Sequence, residues 1–284
     1  MRSNRLASLL AAAVLCLGAA GGETGFDPGN GYGKMKKKIK IVAHRGESAA
    51  APENTLESFS LAWERGAKCI EGDFHLTRDN VVVCMHDANA KRTCGVDRKL
   101  AEMTLAEVKQ LDAGSWKGEA WRGAKVPTLA EVLATIPPEG EIYIELKSAG
   151  KILTQIKKLI KDSGCKPEQL TFIGFNDRTI AAVKRRFPEH KAYWLTASAR
   201  KDGRPKFAAP EKLVAKLQKL GVDGVDIQHK FLTKEMVDAL HAANLSVHVW
   251  TVDDPAVARK LIRMGVDSIT TNRASELSQE LSAK

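Results

Sequence analysis

The sequence predicts an α/β protein: a (β/α)8 TIM-like barrel with an insertion after the second strand. Short β-branched segments alternate with amphipathic helical segments from residue 39 onward, which is typical of parallel βα units. Eight such segments can be counted, and about 250 residues is the usual length of one barrel. The first segment lacks the glycine-rich phosphate loop that would favour the alternative, an open doubly wound sheet.

The eight strands are separated by segments with helical periodicity. We predict the strands at residues 39–44, 68–74, 141–146, 170–175, 191–195, 223–228, 246–251 and 267–271. We predict the helices at residues 54–65, 128–136, 150–163, 177–186, 210–220, 233–243, 254–264 and 274–282. Asp177 and Thr233 are residue types that cap helix N-termini, and Pro210 and Pro255 suit the first helical turn.

Residues 75–127 do not follow this alternation. They contain the hairpin-like sequence TRDNVVVCMHD and then a polar stretch with Trp116 and Trp121. Counting the apolar run as a barrel strand would give nine strands, so we assign the whole segment to an elaborated loop. The two tryptophans either cover the active site or form a small core within the insertion.

The N-terminal residues precede the barrel domain, which we place at residues 39–284. Residues 1–20 combine two arginines, a short apolar run and small residues, the pattern of a cleaved signal peptide. Residues 21–38 form a flexible basic lead. The apolar run is too short to span a bilayer, so we expect an exported protein, periplasmic or secreted, without stable membrane insertion.

The chain has a formal charge of +10, but it contains neither aromatic residues among the basic ones nor a base-reading motif. We therefore expect no nucleic-acid partner. Four cysteines follow the leader, and export would permit a disulfide between Cys84 and Cys94 or between Cys69 and Cys84. Cys165 is the fourth, and sequence does not assign the pairing.

Candidate catalytic residues stand where predicted strands end, which is where barrel enzymes carry their active sites. Glu71 and Asp73 are two residues apart, so their side chains share one face of a strand. Together with Glu145 they would form a buried acidic cluster, which needs a cation to neutralise it. Three carboxylates favour Mg²⁺ or Ca²⁺ over zinc.

Two histidines lie near these acids in the predicted barrel. His44 follows the first strand, and His86 follows the apolar run of the insertion. We predict that they form a general acid/base pair, although a purely structural pairing of His86 with Asp87 is the alternative. The other histidines are predicted to be structural or superficial, with His248 facing a core: His75, His190, His229, His241 and His248.

Together these residues resemble the glycerophosphodiester phosphodiesterase family over residues 40–273. The motifs that carry the resemblance are His44-Arg45-Gly46, Pro52-Glu53-Asn54-Thr55, Glu71-x-Asp73 with Thr77-x-Asp79 and His86-Asp87, Pro127-Thr128-Leu129, Glu145-x-Lys147, VHVWTVDD and GVDSITTN. The resemblance implies a barrel with an insertion after its second strand. It also implies metal-dependent hydrolysis of a glycerophosphodiester, a small-molecule substrate, to sn-glycerol 3-phosphate and an alcohol.

The resemblance further implies roles for individual residues. His44 and His86 take the acid/base roles, and Glu71, Asp73 and Glu145 hold the divalent cation. Glu53 would be a ligand directly or through water, while Arg45 and Lys147 bind the phosphate. Trp250 would pack against the glycerol, with a barrel-core role as the alternative. The nucleophile is either water or the neighbouring glycerol hydroxyl.

Two features leave the substrate open. The family often has valine after Glu-x-Asp, whereas Phe74 and His75 follow here, and we expect them to reshape the rim near the alcohol. Lysophospholipids or sphingomyelin-type diesters are alternative substrates. A non-catalytic protein that binds phosphorylated polyols is the alternative from a different functional class.

Overall fold

The computed structural model describes residues 39–200, 202–207 and 209–283. The predicted signal peptide, residues 1–20, and the basic lead, residues 21–38, lie outside the described residues. Within the described ranges, no helix combines the length and the apolar character that crossing a bilayer requires.

A closed barrel of eight parallel strands forms the centre of the fold, as predicted. The strands of the sheet are β1 (Lys40–Ala43), β2 (Cys69–Leu76), β3 (Val82–Cys84), β4 (Glu141–Leu146), β5 (Leu170–Gly174), β6 (Lys191–Thr196), β7 (Gly224–Gln228), β8 (Ser246–Trp250) and β9 (Ser268–Thr271). The parallel strands follow the order β1-β9-β8-β7-β6-β5-β4-β2, and β1 pairs with β2 again at Ala43 and Ile70. That last pairing closes the ring.

Helices connect the barrel strands, and each of the eight predicted helices is present. The helices are α1 (Leu56–Glu64), α2 (Lys91–Cys94), α3 (Leu105–Val108), α4 (Leu129–Leu133), α5 (Ile152–Ser163), α6 (Asp177–Arg186), α7 (Pro210–Leu220), α8 (Lys234–Ala242), α9 (Pro255–Met264) and α10 (Ala274–Ser282). Thr233 caps α8, and Pro210 and Pro255 begin their helices, as predicted. The prediction for Asp177 is wrong by one residue, because the side chain of Asn176 accepts the capping hydrogen bond.

The segment between β2 and β4 is more regular than predicted. Assigning all of it to a loop is wrong, because β2 continues to Leu76 and β3 pairs with it in antiparallel orientation. This segment has its own small core: Val83, Met85, Ala90, Leu100, Met103, Val108, Leu111, Ala113 and Val126. Neither Trp116 nor Trp121 belongs to that core.

The barrel strands carry apolar residues on both faces, as parallel strands covered by helices do. The outer face packs against the helices in one large core. The inner face carries a separate cluster: Val42, Cys69, Tyr143, Ile173, Tyr193 and Leu195, with Trp250 packed against it. His248 is buried on this inner face, stacked on Tyr193 with ring centroids 3.9 Å apart, as predicted for a histidine facing a core.

No disulfide links the described cysteines. Cys69, Cys84, Cys94 and Cys165 are all free, so neither of the two pairings that the sequence left open is present. The thiol of Cys84 instead donates to Asn54 Oδ1 at 3.1 Å, and burial raises the pKa of both Cys69 and Cys84 well above the usual value. These two thiols are structural groups.

Candidate active site

A sharp turn after β1 directs two candidate residues to the same rim. Arg45 and Gly46 have left-handed backbone angles, with φ of 55° and 83°. A Cβ atom on Gly46 would lie 2.6 Å from the carbonyl carbon of Ser58, a contact that only glycine avoids. The strained angle at Arg45 is offset by the hydrogen bond that its N–H donates to Glu71 Oε2 at 3.0 Å.

Asn272 and Asp253 fix the ring of His44. Asn272 Nδ2 donates to Asp253 Oδ2 at 2.7 Å, so the amide oxygen of Asn272 faces the imidazole. His44 Nδ1 lies 2.7 Å from that oxygen and donates to it. His44 Nε2 is therefore the acceptor nitrogen, 3.9 Å from Glu71 Oε2. Burial, with the neighbouring Arg45 charge, lowers the pKa of His44 to about 4, so the ring is neutral.

The three predicted acidic ligands come together on two adjacent strands. Glu71 and Asp73 share the inner face of β2, and Glu145 on β4 stands directly opposite Asp73. One carboxylate oxygen from each lies within 4.8 Å of the other two, and all three side chains are buried. The expectation that Glu71 and Asp73 end their strand is wrong, because β2 extends beyond them to Leu76.

The electrostatics of this cluster favour a bound cation. Burial raises the pKa of Glu71 well above its usual value, and the charges of Asp73 and Glu145 raise it further. Burial also raises the pKa of Glu145 to about 8, with Asp73 adding to the effect. Among the described residues, no hydrogen-bond donor reaches Glu71 Oε1. A buried carboxylate oxygen without a donor, beside two further acids, fits a divalent cation that prefers oxygen ligands.

Two basic side chains already offset part of this negative charge. Lys147 Nζ lies 3.1 Å from Asp73 Oδ1 and 2.6 Å from Glu145 Oε1. Arg45 Nε lies 3.2 Å from Asp73 Oδ2. Burial alone would raise the pKa of Asp73, but Lys147 and Arg45 outweigh burial and hold that pKa below its usual value. Asp73 is therefore the most acidic of the three carboxyl groups.

Glu53 lies beside the cluster but outside the group of three acids. Its Oε1 accepts from Arg45 Nη1 at 2.9 Å, and Arg92 binds both of its carboxylate oxygens at 2.7 and 3.0 Å. Glu53 as a metal ligand, directly or through water, stays a prediction, because two guanidinium groups bind its oxygens in this structure. Its contacts instead hold Arg45 in place.

His86 reaches the cluster because β3 folds back along β2. The N–H of Met85 donates to the carbonyl oxygen of Asp73 at 2.9 Å, which brings the next residue, His86, beside the acids. His86 Nδ1 lies 2.7 Å from Asp87 Oδ1, and Asp87 also accepts from Arg92. His75 Nε2 donates to the carbonyl oxygen of His86 at 3.2 Å.

The residues after Glu-x-Asp do not form the rim. Phe74 is fully buried in the main core and His75 is buried behind His86. The expectation that they reshape the rim near the alcohol is therefore wrong. They support the strand pair that carries His86.

One pocket, of about 190 Å³, joins most of the candidate residues. Its lining includes His44, Arg45, Glu71, His86, Glu145, Lys147 and Trp250, and on the far side Phe175 and Asp226. Trp250 donates from Nε1 to the carbonyl oxygen of Asp226 at 3.1 Å and packs edge-to-face on Phe175. Trp116 and Trp121 are not among its lining residues.

Sequence reasoning missed several residues that orient the site. Asn272 and Asp253 were inside quoted motifs but had no role assigned to them. Asn54 has a left-handed backbone, with φ of 60°, and donates to Asp73 Oδ2 at 2.8 Å. No sequence pattern predicted the role of Arg92, because nothing in its local sequence marks it as the partner of Glu53 and Asp87.

Comparison with known proteins agrees with this geometry. Residues 44–276 match the Glycerophosphoryl diester phosphodiesterase family. A glycerophosphodiester phosphodiesterase of Bacillus subtilis is 32% identical over 251 residues, 83% of this chain and 84% of the relative. One from Caldanaerobacter subterraneus is 30% identical over 243 residues, 83% of this chain and 94% of the relative.

A solved structure is similar over the same region. It is an Oleispira antarctica phosphodiesterase in complex with the product sn-glycerol-3-phosphate, with 29% identity and a TM-score of 0.78. The similarity covers 86% of this chain and 97% of that one. Because the family match spans the whole barrel and the site residues lie within it, the chain belongs to the glycerophosphoryl diester phosphodiesterase family.

Proposed function

We propose that the protein hydrolyses glycerophosphodiesters to sn-glycerol 3-phosphate and an alcohol, with His44 and His86 as the acid/base pair. The observation that carries the proposal is the pocket lined by both imidazoles, by two cationic side chains and by Glu71 and Glu145, with Asp73 close to these two acids. This combination suits phosphodiester hydrolysis, which needs proton transfer at two oxygens and positive charge at the phosphate.

The two imidazoles have one ring nitrogen each available for proton transfer. Nδ1 of His44 is engaged by Asn272 and Nδ1 of His86 by Asp87. In both rings Nε2 is then the nitrogen left to exchange a proton with substrate. One ring removes a proton from the nucleophile, and the other protonates the departing alkoxide.

Charged groups of the pocket would hold the phosphate. We assign this role to Arg45 and Lys147, whose cationic groups line the pocket beside the acids. Glu71, Asp73 and Glu145 would hold Mg²⁺ or Ca²⁺, which when bound supplies positive charge to the non-bridging phosphate oxygens. Glu53 keeps the Arg45 guanidinium oriented by the hydrogen bond at Nη1.

The proposal is tested with purified protein and four substrates. These are glycerophosphocholine, glycerophosphoethanolamine, glycerophosphoinositol and a lysophospholipid, each with and without EDTA. We expect release of sn-glycerol 3-phosphate from at least one of the first three, and loss of that release with EDTA. Tight binding of a glycerophosphodiester without turnover would instead identify a phospho-polyol binding protein.

One observation favours lysophospholipids as a second candidate substrate. Phe175 at the pocket mouth is 48% exposed and packs against Trp250, which gives the entrance an apolar wall. Such a wall would suit either the carbon side of a glycerol or the start of an acyl chain. The lysophospholipid arm of the assay distinguishes the two.

Asn272→Ala is expected to lower kcat about 10- to 100-fold while changing KM little, as when a partner that orients a functional histidine is removed. The reason is that Asn272 Oδ1 holds His44 in the tautomer that keeps Nε2 unprotonated. Steady-state kinetics on the best substrate measures the split between kcat and KM. Asn89→Ala is the matched control, since the hydrogen bonds of the Asn89 side chain, to Asp97 and to the N–H of Lys91, lie among exposed residues away from His44. An equal loss in both variants, or none in Asn272→Ala, contradicts the role.

We also propose that the protein is exported, on the basis of the leader pattern in residues 1–20. Expression of the full chain in a bacterial host should give a shortened protein outside the cytoplasm. Mass spectrometry of its N-terminus measures the cleavage. A full-length protein found with the cytoplasmic fraction contradicts export.

A further inference from the structure

A fourth buried acid faces the same pocket but has a different environment from the other three. Asp226 lies on β7 and is 1% exposed. Its register partners on the neighbouring strands are Leu195 and His248. Leu195 belongs to the inner cluster of the barrel, so the side chain of Asp226 also points inward.

Asp226 lacks the partners that the cluster acids have. Asp73 and Glu145 contact Lys147, and Glu71 accepts from the N–H of Arg45. In the described part of the chain, no donor lies within hydrogen-bond distance of Asp226 Oδ1. Burial raises the pKa of Asp226 to about 7, and no nearby charge contributes to that change. Asp226 Oδ1 is therefore a buried oxygen that a ligand with a hydrogen-bonding group can reach from the pocket.

The position of Asp226 separates it from the metal-binding cluster. Around the ring of eight parallel strands, β7 is four strands from β2 in either direction, so the two strands face each other across the barrel. Asp226 is also outside the group of acids that lie within 4.8 Å of one another. The carboxyl group of Asp226 would therefore contact a different part of a bound substrate than Glu71, Asp73 and Glu145 do.

Trp250 lines the pocket together with Asp226. Its indole is fixed by the hydrogen bond from Nε1 to the backbone oxygen of Asp226. An indole wall beside a carboxyl group suits a short polyol, whose carbons contact the ring while a hydroxyl bonds to the acid.

We propose that Asp226 binds a hydroxyl group of the glycerol moiety, and thereby selects phosphodiesters that carry a free hydroxyl on this side of the phosphate. This inference rests on the proposed function and adds to it the group that recognises the polyol. A protonated carboxyl group can donate a hydrogen bond to a hydroxyl group, and either form of it can accept one. One contact would therefore give both groups a hydrogen-bonding partner.

The test compares two substrates and two variants. The substrates are glycerophosphocholine and its analogue that lacks the terminal glycerol hydroxyl. Wild-type enzyme is expected to prefer the first by about 10- to 100-fold in kcat/KM, the effect of one buried hydrogen bond. Asp226→Leu should lose most of this preference by losing activity on glycerophosphocholine, while its activity on the analogue changes little. Asp226→Asn, which keeps hydrogen-bonding groups of the same size, should retain part of the preference.

A stability measurement separates this role from a structural one. Removing a buried carboxyl group without a partner should leave the melting temperature unchanged or raise it. A lower melting temperature with an equal loss of activity on both substrates overturns the inference, as would be found if Asp226 only held a structural water. An unchanged preference in Asp226→Leu also overturns it. A wild-type enzyme inactive on both diesters contradicts the proposed function itself, and the inference with it.

Discussion

His86→Ala is expected to lower kcat about 10² to 10⁴-fold, the usual contribution of one general acid or base. The side chain of His86 is 36% exposed, and its ring bonds to Asp87, which Arg92 also holds. Removing the ring therefore leaves the rest of the pocket in place. Steady-state kinetics on the best glycerophosphodiester measures the loss, and KM is expected to change little.

His44→Ala is expected to have a similar effect on kcat but a larger effect on stability. Its imidazole is more buried, and its removal leaves Asn272 Oδ1 with only the longer hydrogen bond from Ser48 Oγ, 3.2 Å, at a cost of about 0.5–1.5 kcal/mol. Thermal melts establish that each variant is folded at the assay temperature. Because the two rings act together in one hydrolysis reaction, the double variant should lose far less than the product of the single losses.

The control for both variants is His241→Ala. His241 also pairs with an aspartate, Asp267, at 2.9 Å, but it lies at the end of α8, near the N-terminal ends of the strands. We expect its loss to leave kcat unchanged. Turnover by a folded His86→Ala enzyme within threefold of wild type would refute the acid/base pair.

Removal of divalent cations is expected to lower activity by at least about 10²-fold, because metal stabilisation of transition-state charge is worth several kcal/mol. Glu71, Asp73 and Glu145 are close enough to share one ion, and Glu71 Oε1 has no other partner among the described residues. Readdition of Mg²⁺ or Ca²⁺ after EDTA treatment should restore turnover, and the better ion identifies the preferred cation.

A second readout of the same site does not depend on turnover. A cation at 100 times its Kd should stabilise the fold by about 2.7 kcal/mol, which a thermal shift detects. Glu71→Gln keeps the shape of the side chain but removes its charge, so the shift should shrink or vanish. Glu141→Gln is the matched control, since Glu141 lies at the other end of β4 and pairs with Lys40. An equal shift in wild type and Glu71→Gln would place the cation elsewhere.

Local sequence patterns were sufficient for much of the fold. The eight barrel strands and eight helices follow from the alternation of apolar segments, which depends only on neighbouring residues. The main error was the segment between β2 and β4. Strand β3 has three residues, and its existence depends on pairing with the extension of β2 rather than on its own composition.

The sequence predicted most of the residues of the site, but few of the contacts between them. The two-residue spacing of Glu71 and Asp73 placed them on one face, and the motifs named His44, His86, Glu145 and Lys147. The contacts of Glu53 with two guanidinium groups involve Arg92, which is 39 residues away in sequence. No local pattern encodes such a pairing.

Local motifs and periodicity were enough to predict the family, the order of strands and helices, and the candidate residues of the site. The folded barrel was needed to show that His86 returns to the acids along β3 and that Asn272 and Asp253 orient His44. It was also needed to show that Asp226 faces the cluster from across the barrel. The reason is physical: a strand specifies its two faces locally, but which faces meet depends on the closure of the ring. That closure joins residues far apart in the chain, such as His44 and Asn272, which lie 228 positions apart.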